Sequence, residues 1–147
     1  MEEFFTMKGY RQRGAGELTD AMEDYLEMIS RMEREGGRVR VRALAEGLNV
    51  RPSSVSKMLG HLQESGYLST EPYGEIRLTE KGRQEGEYLL YRHGVILRFL
   101  CALNGSSSEL EQTELIEHFL NPQTVWNLEI LTRKMTGEEK SAPENST

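Results

Sequence analysis

Cysteine is almost missing from this chain: Cys101 is the single one among 147 residues. No intrachain disulfide can form, and a reducing, cytoplasmic location is the expectation. No Cys-centred motif surrounds Cys101, so it reads as an inert buried thiol rather than a nucleophile. Long apolar runs are missing too. There is no N-terminal segment of signal type. The most apolar stretch, Tyr88 to Leu103, is interrupted by Arg92, His93 and Arg98, which excludes a bilayer span. Neither a lid loop nor a recognisable acid–base or nucleophile motif is present, so no enzymatic role and no small organic substrate are expected.

What is there is charge, unevenly placed. The net charge is −6, yet residues 38–61 hold Arg38, Arg40, Arg42, Arg51 and Lys57 against Glu46 alone. Residues 104–147 hold eight acids against three bases. A basic middle and an acidic C-terminal part suggest separate tasks for the two halves.

The length suits one compact domain or two small ones. Residues 1–16 show Phe4, Phe5 and Tyr10 without a period and end in Gly14-Ala15-Gly16; they read as an N-terminal extension. Thr19 suits a helix N-cap, with Asp20 and Glu23 at the positive end. Met22, Tyr25, Leu26, Ile29 and Met32 recur at helical spacing. Gly36-Gly37 ends that helix. Val39 and Val41 alternate with arginines as a very short strand. A short helix follows from Ala43 to Leu48, then a turn at Asn49-Val50-Arg51. Pro52 fits the first position of the next helix. Two short alternating runs flank Pro72-Tyr73-Gly74, a hairpin signal. This order predicts a winged helix-turn-helix over residues 17–86. Thr79 caps a long helix to about Leu103, stopped by Asn104-Gly105. Ser108 and Glu111 have capping-box spacing, and Asn121-Pro122 breaks the helix that follows. The last amphipathic helix runs from Pro122 to Met135. Residues 87–136 thus read as a second, helical domain, the part that the resemblance described below makes the dimerisation and metal-binding domain, and 137–147 as a disordered tail. The fold class is mainly α.

In a winged helix-turn-helix the second helix enters the major groove with its N-terminal part toward the bases. Here that part is Arg51, Pro52, Ser53, Ser54, Ser56 and Lys57. Small hydroxyl side chains permit close approach and bond base edges or phosphates. Arg51 and Lys57 suit phosphates, and Tyr73 and Arg77 on the hairpin suit the backbone beside the groove. Ordinary helix-start chemistry explains any one serine, but less well the set with arginines around it.

The second constellation is Glu114-Leu115-Ile116-Glu117-His118. Read as a helix, it puts Glu114, Glu117 and His118 on one face. A solvated polar face is the bland explanation. A shared divalent cation is the sharper one, because Asp24 and Glu27 form a second acidic pair one turn apart and His93 lies inside an apolar helix. Four carboxylates and two imidazoles make a hard donor set, better suited to Mn²⁺ than to thiolate-seeking metals.

Taken in order, Met22-Glu23-Asp24-Tyr25-Leu26-Glu27, Pro52-Ser53-Ser54-Val55-Ser56-Lys57-Met58, Leu78-Thr79-Glu80-Lys81-Gly82, Tyr91-Arg92-His93 and Glu114-Leu115-Ile116-Glu117-His118 resemble the diphtheria-toxin-repressor family of metal-dependent transcriptional regulators. The likeness spans residues 18–135 and is strongest to the manganese transport regulator branch. It implies an N-terminal winged helix-turn-helix, a helical dimerisation domain, and metal binding that enables a homodimer to bind palindromic operator DNA. The implied ligands are Asp24, Glu27, His93, Glu114, Glu117 and His118, holding one or two Mn²⁺ ions. The iron-sensing branch carries methionine and cysteine where Asp24 and Glu114 stand. Leu97 replaces a carboxylate of that branch's ancillary site, and the chain ends short of the third domain of some members. The expected function is a manganese-responsive regulator repressing metal-uptake genes. The alternatives are an iron-responsive (Fe²⁺) regulator of the same family and a winged-helix regulator that ignores metals.

Overall fold

The computed structural model describes residues 18–71 and 74–138. The extension 1–16, the turn residues Pro72 and Tyr73, and the tail from residue 139 lie outside them. Six α-helices and one two-stranded sheet make up the described fold, which is mainly helical. The chain divides into two compact units after Gly86.

The first unit opens with α1, Asp20–Arg34. Thr19 caps it as its sequence suggested: the Met22 amide donates to Thr19 Oγ1 at 3.2 Å. Asp20 and Glu23 sit in the first turn and Arg31 and Arg34 in the last, which matches the helix dipole at both ends. Met22, Tyr25, Leu26 and Ile29 are buried. Gly36 turns the chain out at φ +81°.

The expected strand at Val39–Val41 is not a strand. Val39 makes one isolated antiparallel bridge, to Ile76. Arg40 is extended and serves as N-cap, and Val41 already belongs to α2, Val41–Leu48. Helix α2 therefore starts two residues before the expected Ala43. It ends on Asn49 in the left-handed region at φ 55°. Helix α3, Pro52–Glu64, follows with Pro52 in its first turn. Helix α1 packs on α2, α2 on α3, and α3 on β1.

Strands β1 (Leu68–Thr70) and β2 (Ile76–Leu78) pair antiparallel, with Ser69 opposite Arg77. Leu68, Ile76 and Leu78 face the core and Arg77 faces out. The hairpin is tied back to the end of α3: Thr79 Oγ1 donates to the Gly66 carbonyl at 2.6 Å and Lys81 Nζ to the Ser65 carbonyl at 2.9 Å. Thr79 also caps the long α4, Glu80–Asn104, by accepting from the Gly82 amide at 3.1 Å. A side chain at Gly82 would run into the Tyr67 carbonyl. Glycine is what allows α4 to start against the loop between α3 and β1.

The second unit contains most of α4, then α5 (Leu110–Ile116), a 3₁₀ turn (Glu117–Phe119) and α6 (Pro122–Thr136). Leu89, Val95, Ile96, Leu100 and Val125 are its buried apolar residues. The expected Ser108–Glu111 capping box does not form. The N-cap is Glu109, without a side-chain bond. The Ser108 amide instead donates to Ser106 Oγ at 3.0 Å, a local serine turn competing with the cap. Asn121 caps α6, accepting from the Thr124 amide at 2.8 Å.

Candidate metal centre and nucleic-acid face

In the second unit, His93 lies on α4 and is buried. Glu117 is only 1% exposed. Its Oε2 stands 2.8 Å from His93 Nδ1, and Glu114 Oε1 stands 3.5 Å from the same nitrogen. His93, Glu114 and Glu117 each offer a ligand atom within 4.8 Å of the others. Glu117 and His118 do so as well. The uninterrupted helix expected through His118 is not observed. Helix α5 ends at Ile116 and the chain tightens into the 3₁₀ turn at Glu117. The cause is downstream: Leu120 and Asn121 must be extended to lead into Pro122, so the residues before them close with shorter-span bonds. Glu117 turns inward while Glu114 stays exposed at 46% of its side chain.

One participant escaped the sequence reading. Arg92 is 4% exposed, and its Nη2 lies 3.4 Å from His118 Nδ1. The signal was an arginine next to the histidine inside an apolar stretch, which had served to exclude a membrane span and to carry the family likeness, without a role of its own.

In the first unit, Glu27 of α1 is buried, with Oε2 3.8 Å from Arg31 Nη2, and Asp24 is half-buried on the same helix. A buried carboxylate is costly unless compensated. The donor chemistry of all six residues fits a hard divalent cation: carboxylate oxygens and imidazole nitrogens, no sulfur.

The proposed DNA-facing residues that the structure describes are exposed. Arg51, Pro52, Ser53, Ser54, Ser56 and Lys57 are all exposed, while Val55, Leu59 and Leu62 anchor the opposite face of α3. Arg77 is exposed on β2 and pairs with Glu75 at 3.4 Å. Tyr73 lies outside the described residues. Arg40 and Arg42 add exposed positive charge near α2, Arg42 sharing its charge with Glu46 at 3.5 Å.

The family description "Iron dependent repressor, N-terminal DNA binding domain" matches residues 17–76. The chain is 42% identical over 110 residues to the HTH-type transcriptional regulator MntR of Geobacillus kaustophilus, covering 74% of this chain and 75% of that one. The chain belongs to the diphtheria-toxin-repressor family of metal-dependent transcriptional regulators. Within that family it falls in the manganese transport regulator branch. The MntR regulator of Oceanobacillus iheyensis is 40% identical, over 74% of this chain and 72% of its own. The solved structure of the manganese regulator SloR superposes with a TM-score of 0.67 at 24% identity, over 75% of this chain and 52% of that one, which supports the fold. This chain thus spans about half the length of that solved regulator. It is a DNA-binding transcriptional regulator and not an enzyme. Among the described residues, no helix is long and apolar enough to cross a membrane.

Proposed function

We propose that the chain is a cytoplasmic, manganese-responsive repressor of metal-uptake genes that binds palindromic operator DNA as a homodimer. The observation that carries the metal half is the convergence of Glu114 and Glu117 on His93 Nδ1 at 3.5 and 2.8 Å. His93, Glu114, Glu117 and His118 would hold an ion in the second unit, and Asp24 and Glu27 on α1 are the further carboxylates that the family likeness assigns to the metal. So many carboxylates suit two ions as readily as one. Bound there, the metal supplies the positive charge that these carboxylates lack.

The residues do the rest. Asp24 and Glu27 sit on the helix that packs on α2, and α2 on α3. Ligation through α1 therefore reaches the reading helix by direct packing. Two copies of α3, held at a fixed separation in a homodimer, meet successive major grooves about 34 Å apart or a multiple of that. The exposed apolar residues of the second unit, among them Trp126, Ile130 and Leu131, support the homodimer, because a C2 interface would cover them.

The test is a titration of Mn²⁺ against affinity for a duplex selected from a randomised library with the wild-type protein. Saturating Mn²⁺ raises affinity, Glu117→Gln abolishes the rise, and Fe²⁺ run in parallel distinguishes the two metals. Affinity indifferent to Mn²⁺ would overturn the proposal.

A further inference from the structure

Helix α3 carries a glycine in its interior, Gly60, which the fold does not explain. Glycine weakens a helix interior relative to alanine, so one placed there normally serves a tight packing contact or a cap. Neither applies. A Cβ at Gly60 would have no atom within 4 Å. Its φ is not positive, so any L-residue adopts its backbone conformation. The helix continues to Glu64 and is capped by Ser65, beyond the glycine. The contrast is Gly82, where a side chain would strike backbone.

The position of Gly60 is informative. Ser53, Ser56, Lys57 and Gly60 are spaced three, four and seven residues apart, which puts them on one face of α3. All four are exposed. The buried residues Val55, Leu59 and Leu62 occupy the opposite face. Gly60 lies one turn beyond Lys57, past the N-terminal part that points at bases.

We propose that Gly60 is where the sugar–phosphate wall of the major groove comes against the backbone of α3, a distance that any side chain would increase. The inference rests on the DNA-binding reading and deepens it. Gly60 is a positioning residue: it offers no donor of its own and sets how far Ser53, Ser56 and Lys57 reach into the groove. The missing side chain therefore weakens the isolated fold and strengthens the complex.

This gives opposite signs in two measurements on one variant. Melting temperature is measured without DNA. Affinity is measured by fluorescence anisotropy with Mn²⁺ present, on a duplex selected from a randomised library with the wild-type protein. Gly60→Ala raises the melting temperature by a few degrees. It weakens DNA binding on the order of tenfold, the loss expected of one good contact. Gly60→Leu also stabilises the fold and weakens binding further. Wild-type affinity in Gly60→Ala would overturn the proposal, and so would a lower melting temperature, which would give the glycine a role inside the fold. If the wild-type protein selects no duplex at all, the DNA-binding reading fails and takes this inference with it; selection by the wild type separates the two failures.

Discussion

His93 and Glu117 are 24 residues apart in sequence and meet at 2.8 Å in the interior of the second unit. Glu117 is almost fully buried. A carboxylate in that position is costly unless a proton or a cation is shared with its neighbour. His93 Nδ1 is its hydrogen-bond partner, and under the proposed function a metal would supply the cation. Glu117→Gln removes the charge and keeps the shape. Its expected effect is at least a tenfold loss of Mn²⁺ affinity, since even residues one step behind metal ligands are worth about 10–100-fold. Isothermal titration with Mn²⁺ checks it. Unchanged affinity would remove Glu117 from the ligand set.

Metal removal should act on stability and on DNA together. A ligand at about 100 times its dissociation constant stabilises the native state by about 2.7 kcal/mol. Chelation with EDTA should therefore lower the melting temperature, and adding back Mn²⁺ should restore it. Coupling between two binding sites is reciprocal. Selected DNA should tighten Mn²⁺ binding by the same factor by which Mn²⁺ tightens DNA binding, and unequal factors at equilibrium would break that link.

Much of the fold was written locally. Thr19, Thr79 and Pro52 mark helix starts through chemistry that acts within three residues, and the caps expected of Thr19 and Thr79 are made; Asn121, read only as a helix breaker, also caps the helix after it. The failures are equally physical. Alternation over Arg38 to Arg42 is too short to separate a strand from an extended lead-in to a helix, and Val39 keeps one bridge only. The serine run at 106–108 offered two competing local bonds, and the turn won over the cap. The 3₁₀ turn at Glu117 was hidden because its cause, the extended Leu120–Asn121 pair, lies after it. Glu114, Glu117 and His93 were legible as candidates from residue type and spacing. That Glu117 is buried and Glu114 exposed was not, since one helical face had been assumed for both. Arg92 was invisible as a neighbour of His118 because 26 residues separate them.

Gly82 tests the anchoring of the hairpin to α4. Gly82→Ala places a methyl group against the Tyr67 carbonyl, and backbone has no rotamer by which to yield. Overpacking of this kind costs about 1–3 kcal/mol. Chemical denaturation should show a lower midpoint with an unchanged m-value. A neutral substitution would mean that α4 can shift away from the loop at Tyr67.

Alkaline pH should destabilise the protein through buried phenols. Burial pushes the Tyr91 hydroxyl above its ordinary value, and the Glu129 carboxylate nearby pushes it further, opposed by Arg133. Burial raises Tyr25 as well. A raised value means that the folded protein holds the proton more tightly than the unfolded chain. The stabilisation is fully present below the unfolded value of about 10 and is lost as pH rises through the folded one. Melting temperature should therefore fall above about pH 10, and Tyr91→Phe should flatten the fall. An equally steep fall in Tyr91→Phe would assign it to other groups.

The apolar residues of the second unit split into two sets that their helical period could not distinguish. Leu89, Val95 and Ile96 are buried by the chain itself, whereas Trp126 is 53% and Leu131 46% exposed. Periodicity reports that a face is apolar, not whether its cover comes from the same chain or from a second copy. Trp126→Lys and Leu131→Lys leave the unit's own core untouched, so each should fold with a near-normal melting temperature at high protein concentration. Each introduces a charge that a C2 interface would place near its own symmetry mate. Sedimentation velocity should then show monomer where the wild type shows dimer, with DNA affinity falling because one α3 binds alone. A wild type already monomeric, or a variant dimer as tight as the wild type, would move the interface away from α6.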